Sequence, residues 1–286
     1  MVAPLRRAGV RRPDAMLSAD HERWHYAAPL DAAAVLAEHD RFIALLTTAG
    51  VEVVAFDDCL DGDPTDDLAD SVFTYDPSLV TPAGAVLLAP GKALRRGEVA
   101  LHERFYAAQG IPIVGRIEAP GTFEAGDSFW VDDRTLAVGR GFRSNDDGIR
   151  QLRAILDPQG IEVVAFDLPW YLGPAACLHL MSLVSALDRD LALVHLPLLP
   201  VAFHRLLVDR GYELVVAPPA EFEPSGGLNL NVLAVGPRRC IAVDGSPGTL
   251  AAMRDAGCEV SVFDGRSLAI PCEGGPTCMT RPLLRG

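Results

Sequence analysis

Cys278 ends the run Glu273-Gly274-Gly275-Pro276-Thr277-Cys278. A glycine pair lets the backbone approach a ligand closely, and the thiol that follows is offered from a loop, where a nucleophile is useful. The competing fate of a cysteine is that of a small buried hydrophobe, the reading adopted for Cys59, Cys177, Cys240 and Cys258. His179, in Cys177-Leu178-His179-Leu180-Met181-Ser182, is either a hydrogen-bonded core histidine or a general acid/base. Two acidic motifs, Asp70-Ser71-Val72-Phe73-Thr74-Tyr75-Asp76-Pro77 and Glu118 to Asp127 around Glu124, place carboxylates among apolar residues and turn formers. An unpaired charge there is costly, so these acids call for a cationic partner or serve as caps. His21-Glu22-Arg23-Trp24-His25 satisfies the H-E-x-x-H pattern, but prolines at 13 and 29 flank it and no third ligand is in place, so no metal is expected.

Positioning such residues is the task of a repeated element. The phrases AGVEVVAFD, QGIPIVGRI, QGIEVVAFD, RGYELVVAP and AGCEVSVFD share a glycine, at 50, 110, 160, 211 and 257, with separations of 60, 50, 51 and 46 residues. Each glycine follows a segment of helical periodicity, such as His39 to Ala49, Val99 to Gln109 or Leu250 to Ala256, and reads as a helix C-cap. A strand-like run follows each, and a second apolar run comes later in most units: Ala85 to Ala89, Leu136 to Gly139, Leu191 to Val194, Val232 to Val235. The expected unit is helix, strand, loop, strand. One unit cannot cover its own apolar face, but five around an axis can, so residues 1–286 are expected to form a single α/β domain, a five-fold pseudosymmetric propeller with a polar site on its axis. The aspartate-rich stretch Asp57 to Asp70 lacks EF-hand spacing and reads as a solvated loop.

Composition narrows the function. With 49% hydrophobic and 22% charged residues the chain is globular. Against 38 acidic residues it carries 25 basic ones, and the net charge of -13 repels a phosphate backbone, so no nucleic-acid partner is expected. Lys92 is the sole lysine, and Gly91-Lys92-Ala93 lacks P-loop features, which argues against Schiff-base and NTPase chemistry; no cofactor is called for. No signal-peptide pattern opens the sequence, and Leu191 to Phe203 is too short and too interrupted to span a bilayer. Six cysteines without a Cys-x-x-Cys pair suit a reducing cytoplasm. A homodimer is compatible with the many apolar strands.

Cys278, His179, Glu124 and Asp76 come from four different units, as a site on the axis requires. The segments ADSVFTYDP (69–77), GKALRRGE (91–98), RIEAPGTFEAGD (116–127), GRGFRSNDDG (139–148), CLHLMS (177–182) and GGPTCM (274–279) resemble those of the guanidine-modifying superfamily of five-bladed αβ propellers, or penteins, and most closely the dimethylarginine dimethylaminohydrolases. The resemblance implies Cys278 as nucleophile, His179 as general acid/base and Glu124 as the carboxylate that orients the histidine and holds the guanidinium. It implies further that Asp76 grips the guanidinium, that Asp70 binds the substrate amino group, and that Arg95 and Arg143 lie near its carboxylate. The implied reaction is hydrolysis at the guanidino carbon of an arginine-like small molecule through a covalent thiouronium, giving citrulline or a ureido product and an amine. Two positions depart from the pattern. Tyr75 stands where dimethylarginine hydrolases have glutamate, and Met181 where arginine deiminases have aspartate two residues after the histidine. An amidinotransferase or arginine deiminase is the alternative enzyme, and a noncatalytic ribosome-binding protein the alternative from another class.

Overall fold

The computed structural model describes residues 2–59, 68–175 and 178–286, so Cys177 and most of the acidic stretch of 57–70 lie outside the described residues. The chain opens with β1 (Leu5–Val10), the single-turn helices α1 (Asp14–Leu17) and α2 (His21–Trp24), α3 (Ala32–Thr48) and β2 (Glu52–Ala55). Three similar units follow: β3 (Ser78–Thr81), β4 (Gly84–Leu87), α4 (Glu98–Ala108), β5 (Ile113–Arg116); β6 (Ser128–Asp132), β7 (Thr135–Arg140), α5 (Asp146–Leu156), β8 (Glu162–Asp167); and β9 (Val184–Asp188), β10 (Leu191–Val194), α6 (Val201–Asp209), β11 (Glu213–Val216). The last comprises β12 (Leu233–Gly236), β13 (Arg239–Val243), α7 (Pro247–Asp255) and β14 (Glu259–Phe263), and β15 (Arg281–Arg285) ends the chain.

These strands form five three-stranded sheets of one design. An antiparallel hairpin is followed by a helix, which returns the chain so that the third strand runs parallel to the middle one, as in β3-β4-β5. The fifth sheet is assembled from both ends of the chain, with β15 antiparallel to β1 and β1 parallel to β2. The first strands β9 and β12 of neighbouring sheets adjoin, and β12 also meets β1, the middle strand of the fifth sheet, as expected where first strands stand innermost in a five-fold pseudosymmetric αβ propeller. Burial follows from this order. The middle strands β4 and β10 are buried throughout, whereas β5 on the rim is mostly exposed.

Each helix seals its sheet with one apolar stripe. In α5 this is Ile149, Leu152 and Leu156, at the spacing of successive helical turns. In α4 it is Leu101 and Phe105, and Phe105 stacks on Phe56 with ring centroids 3.7 Å apart. Helix termination is the same in every unit. After α4, Gly110 (φ 66°) donates its N–H to Ala107 O, and the Ile111 N–H returns to Tyr106 O, the paired bonds of a Schellman cap. The other four repeat glycines also have positive φ. The repeat unit read from the sequence is one strand short. Tight turns such as Pro82-Ala83 and Asp133-Arg134 join two short strands into a hairpin where the sequence reading places one strand. No helix among the described residues is long and apolar enough to cross a membrane.

Since a Cβ on Gly211 meets nothing within 4 Å, only its backbone angle demands glycine. Gly211→Ala is expected to lower the unfolding free energy by roughly 1 kcal/mol in urea titrations, and Gly211→Asn by less, because asparagine tolerates the left-handed region better.

Candidate active site

Cys278, His179 and the acids Asp76, Glu124 and Asp127 sit just ahead of the first strands of their sheets, whereas Arg95 and Arg143 lie between a middle strand and the helix that follows it. Asp76 precedes β3, Glu124 and Asp127 precede β6, His179 precedes β9, Asn231 precedes β12 and Cys278 precedes β15. Because the first strands are innermost, five successive segments deliver their side chains to the axis. Single 3-10 turns, Ala69–Val72, Ala125–Asp127, Leu180–Ser182 and Leu228–Leu230, bend the chain inward at four of these places.

Cys278, His179, Asp70, Asp76, Arg95 and Arg143 line one cavity of about 410 Å³. Glu124 is fully buried beside it and accepts a 2.7 Å hydrogen bond from His179 Nε2 through Oε2. Its Oε1 accepts the Lys92 N–H at 3.1 Å, and Arg143 Nη1 lies 3.3 Å from both oxygens. His179 is further fixed from behind by its backbone N–H to Ser182 Oγ at 3.1 Å. Its ring lies on Gly126, where a Cβ would come within 2.5 Å of Nδ1, so a side chain at that position would displace the imidazole. Asp76 accepts the Gly126 N–H at 3.0 Å through Oδ1 and Arg95 Nη1 at 2.5 Å through Oδ2. Asn231 Nδ2 donates to Cys278 Sγ at 3.0 Å, and Asn231 Oδ1 takes the Thr277 N–H at 3.0 Å, which holds the amide with its donor toward the sulfur.

Burial and charge set the protonation states. Burial pushes the Glu124 carboxyl up, but the hydrogen bond and charge of His179, with Arg143 and Arg95, outweigh it and hold the group well below the usual carboxylate range. Asp127 goes the other way. Burial raises it to about 6 against the opposing pull of His179, the Ser144 hydroxyl and the Leu180 N–H. Asp76, Glu124 and His179 have acceptor and donor atoms within 4.8 Å of one another, the one such cluster among the described residues able to hold a cation. A planar guanidinium, with N–H groups directed outward along its edges, suits two carboxylates at that separation.

The remaining sequence candidates have partners of their own. Arg95, expected beside a substrate carboxylate, is 4% exposed and engaged elsewhere. It forms a fork onto Glu98, bonds Asp76 and donates to Phe73 O, so its charge serves to hold Asp76 in place. Asp70 is likewise occupied, by Lys92 Nζ at 2.6 Å and the Tyr26 hydroxyl at 2.9 Å. Lys92 also donates to Trp24 O at 3.2 Å. The H-E-x-x-H pattern fails as a helical motif, for α2 stops at Trp24 and His25 adopts a left-handed φ of 65°. Cys240 and Cys258 are buried as expected of small hydrophobes. Asn231 was not among the expected residues; its signal was its place immediately before the apolar run Val232 to Val235, equivalent to that of the other site residues. Tyr75 and Met181 are both buried and line the cavity, so the two departures from the family pattern fall in the site itself.

Comparison with known proteins agrees with this arrangement. Residues 64–213 match the family model described as Arginine deiminase. The chain is 32% identical over 279 residues to the N(G),N(G)-dimethylarginine dimethylaminohydrolase of Streptomyces coelicolor, covering 97% of this chain and 96% of that one. It is 38% identical over 135 residues to the enzyme of the same name from Pseudomonas aeruginosa, across 46% of this chain and 49% of that one. The structure of a cysteine-to-serine mutant of the Pseudomonas aeruginosa enzyme complexed with citrulline superposes with a TM-score of 0.77 at 26% identity, covering 99% of this chain and 100% of that chain. An amidinotransferase from Microseira wollei, at 19% identity and a TM-score of 0.78, shares the fold. By sequence and architecture alike, the chain belongs to the arginine deiminase family of guanidine-modifying enzymes, alongside the dimethylarginine dimethylaminohydrolases.

Proposed function

We propose that this protein hydrolyses an N-substituted, arginine-like guanidine, with dimethylarginine the first substrate to try, to citrulline or a related ureido compound and an amine. The observation that carries the reading is the meeting of a loop-borne thiol and a histidine on a buried carboxylate in one cavity that also offers Asp76. An ordinary thiol with a pKa of about 8.5 is only a few per cent ionised at neutral pH. The Asn231 amide and a guanidinium held by the acids both favour the thiolate of Cys278. The thiolate attacks the guanidino carbon, and the carbon bond to the substituted nitrogen breaks as His179 gives that nitrogen a proton. The remaining thiouronium is attacked by water, whose proton passes to His179. The carbon–sulfur bond then breaks as the remaining hydroxyl proton passes through solvent to the departed amine, which releases the ureido product and an ammonium ion and restores the thiolate.

Glu124 holds the imidazole in one orientation and stabilises its protonated form. Asp76 keeps unshared lone pairs on both oxygens while Arg95 and Gly126 position it. Met181 presents no carboxylate to the second edge of the guanidinium, which favours a substrate whose nitrogen bears alkyl groups over free arginine, whereas Tyr75 removes a carboxylate that the dimethylarginine hydrolases have and leaves the identity of the alkyl group to the assay. Arg143, on the cavity wall, is the cation assigned to the substrate carboxylate, and Asp70 with Lys92 the pair nearest its amino-acid end. Closure of the ring by β15 on β1 supports reading residues 1–286 as one catalytic domain. The net charge of -13 supports action without nucleic acid. We extend the reading to a cytoplasmic homodimer, supported by the apolar side chains Val201 and Val208 exposed on α6.

Cys278→Ser is expected to lower kcat by on the order of 10⁴-fold or more, and His179→Ala by about 10²–10⁴-fold, in a citrulline-release assay with dimethylarginine. Activity retained in Cys278→Ser would remove the covalent step. In the same assay kcat/KM for dimethylarginine should exceed that for arginine, and the reverse order would make the protein a deiminase. Product formed only after an amine acceptor is added would make it an amidinotransferase. Asp127 supplies a pH test: its folded-state pKa of about 6 lies above the ordinary 3.8, so its contribution to stability is present below the lower value and lost as pH rises through the upper one. Asp127→Asn keeps an oxygen to accept the Leu180 N–H and removes this loss. The stability difference, mutant minus parent, should grow between pH 4 and pH 7 by on the order of 2–3 kcal/mol in denaturant titrations.

A further inference from the structure

Tyr75, Met181 and Thr277 face two cavities. On one side is the candidate active site; on the other is a larger cavity of about 580 Å³, walled by apolar residues that include Val80, Trp130, Ala186, Val232 and Leu283. Two arginines from β15, Arg281 and Arg285, also line it. Arg281 is 3% exposed and lies over the Tyr75 ring at 4.4 Å, and its Nη1 donates to the carbonyls of Tyr75 and Ser78. Arg285 donates to the carbonyls of Ala3 and Ala234. Neither arginine pairs with a carboxylate among the described residues. Of the acids that line the cavity, Asp132 and Asp133 are exposed, and Asp132 is engaged by Arg210.

Two guanidinium groups on one strand thus face a largely apolar space, their charge offset by backbone carbonyls and, for Arg281, by the face of the Tyr75 ring. Burial, together with the like charge of Arg281 and against the favourable field of Tyr75, brings Arg285 down to about 10, still cationic at neutral pH. Two buried polar atoms of the lining residues, Arg281 Nε and the Thr277 hydroxyl, have no hydrogen-bond partner. A buried and a half-buried cation without a carboxylate partner, together with unmatched donors beside a cavity, are the features of a site for an anion, and apolar walls select one with a hydrocarbon body.

We propose that this second cavity binds a small amphipathic anion, its carboxylate on Arg281 and Arg285 and its apolar body against Trp130, Val232 and Leu283. The site is separate from the catalytic one and shares only its floor. Occupancy would reach the chemistry through Tyr75, whose backbone N–H bonds Cys278 O at 3.0 Å.

Calorimetric titration with octanoate, and with inorganic phosphate as the comparison, tests this. Octanoate is expected to bind at one site and to remain bound, at an affinity within a few-fold, after alkylation of Cys278. Arg285→Met should weaken it about tenfold or more while Arg285→Lys restores part of the loss. Arg281→Met should weaken it similarly; because Arg281 ties down two carbonyls, Arg285 provides the comparison if that variant does not fold. The proposal is overturned by absence of saturable octanoate binding, by equal affinity in folded Arg285→Met, by loss of binding on alkylation, or by phosphate binding as tightly as octanoate.

Discussion

A carboxylate with no exposed surface must be matched by cations and N–H donors, and Glu124 is the group on which the site depends. His179, Arg143 and the Lys92 N–H converge on its two oxygens from three separate segments. Their combined pull exceeds the penalty of burial, so the acid remains ionised and the imidazole is fixed against it. Nearby Asp127 shows the opposite balance. It has a hydroxyl and an N–H but no direct salt bridge, and burial prevails. Two acids three residues apart therefore differ in charge at mildly acidic pH: one anchors the imidazole of His179, while the other braces the turn that carries it.

The same division runs through the rest of the cavity. Arg95 and Glu98 form a buried ion pair behind Asp76, and Lys92 neutralises Asp70. Acidic groups that would repel one another in a confined space are each assigned a basic partner, which leaves lone pairs available without an excess of negative charge. Burial raises Glu98 to about 7, offset by Arg95, so this support is itself sensitive to protonation.

Much of this was legible in the sequence because it depends on local stereochemistry. Positive φ after a helix demands glycine, so five glycines marked the repeats and their spacing. Cys278, His179, Glu124 and Asp76 were visible as reactive types in loops from different repeats. Less visible were features fixed by side-chain pairing at a distance. Nothing in GKALRRGE alone tells whether Arg95 faces solvent or forks onto Glu98, although their spacing of three residues permits the pair. Asn231 carries no chemistry of its own, and only its place before β12 links it to the thiol. One strand of most sheets was hidden because segments as short as Ser78–Thr81 and Ser128–Asp132 carry too few alternating apolar residues to stand apart from the turn beside them.

Pairing of Leu5 with Arg285 joins residues 280 positions apart, and it is this contact that completes the fifth sheet. Loop-closure entropy makes so distant a pairing a late and slow event in folding. The strand it docks is the one that follows Cys278, so the thiol is seated in the cavity only when the circle is shut. Fraying of that single seam would silence the enzyme while four sheets still stood intact.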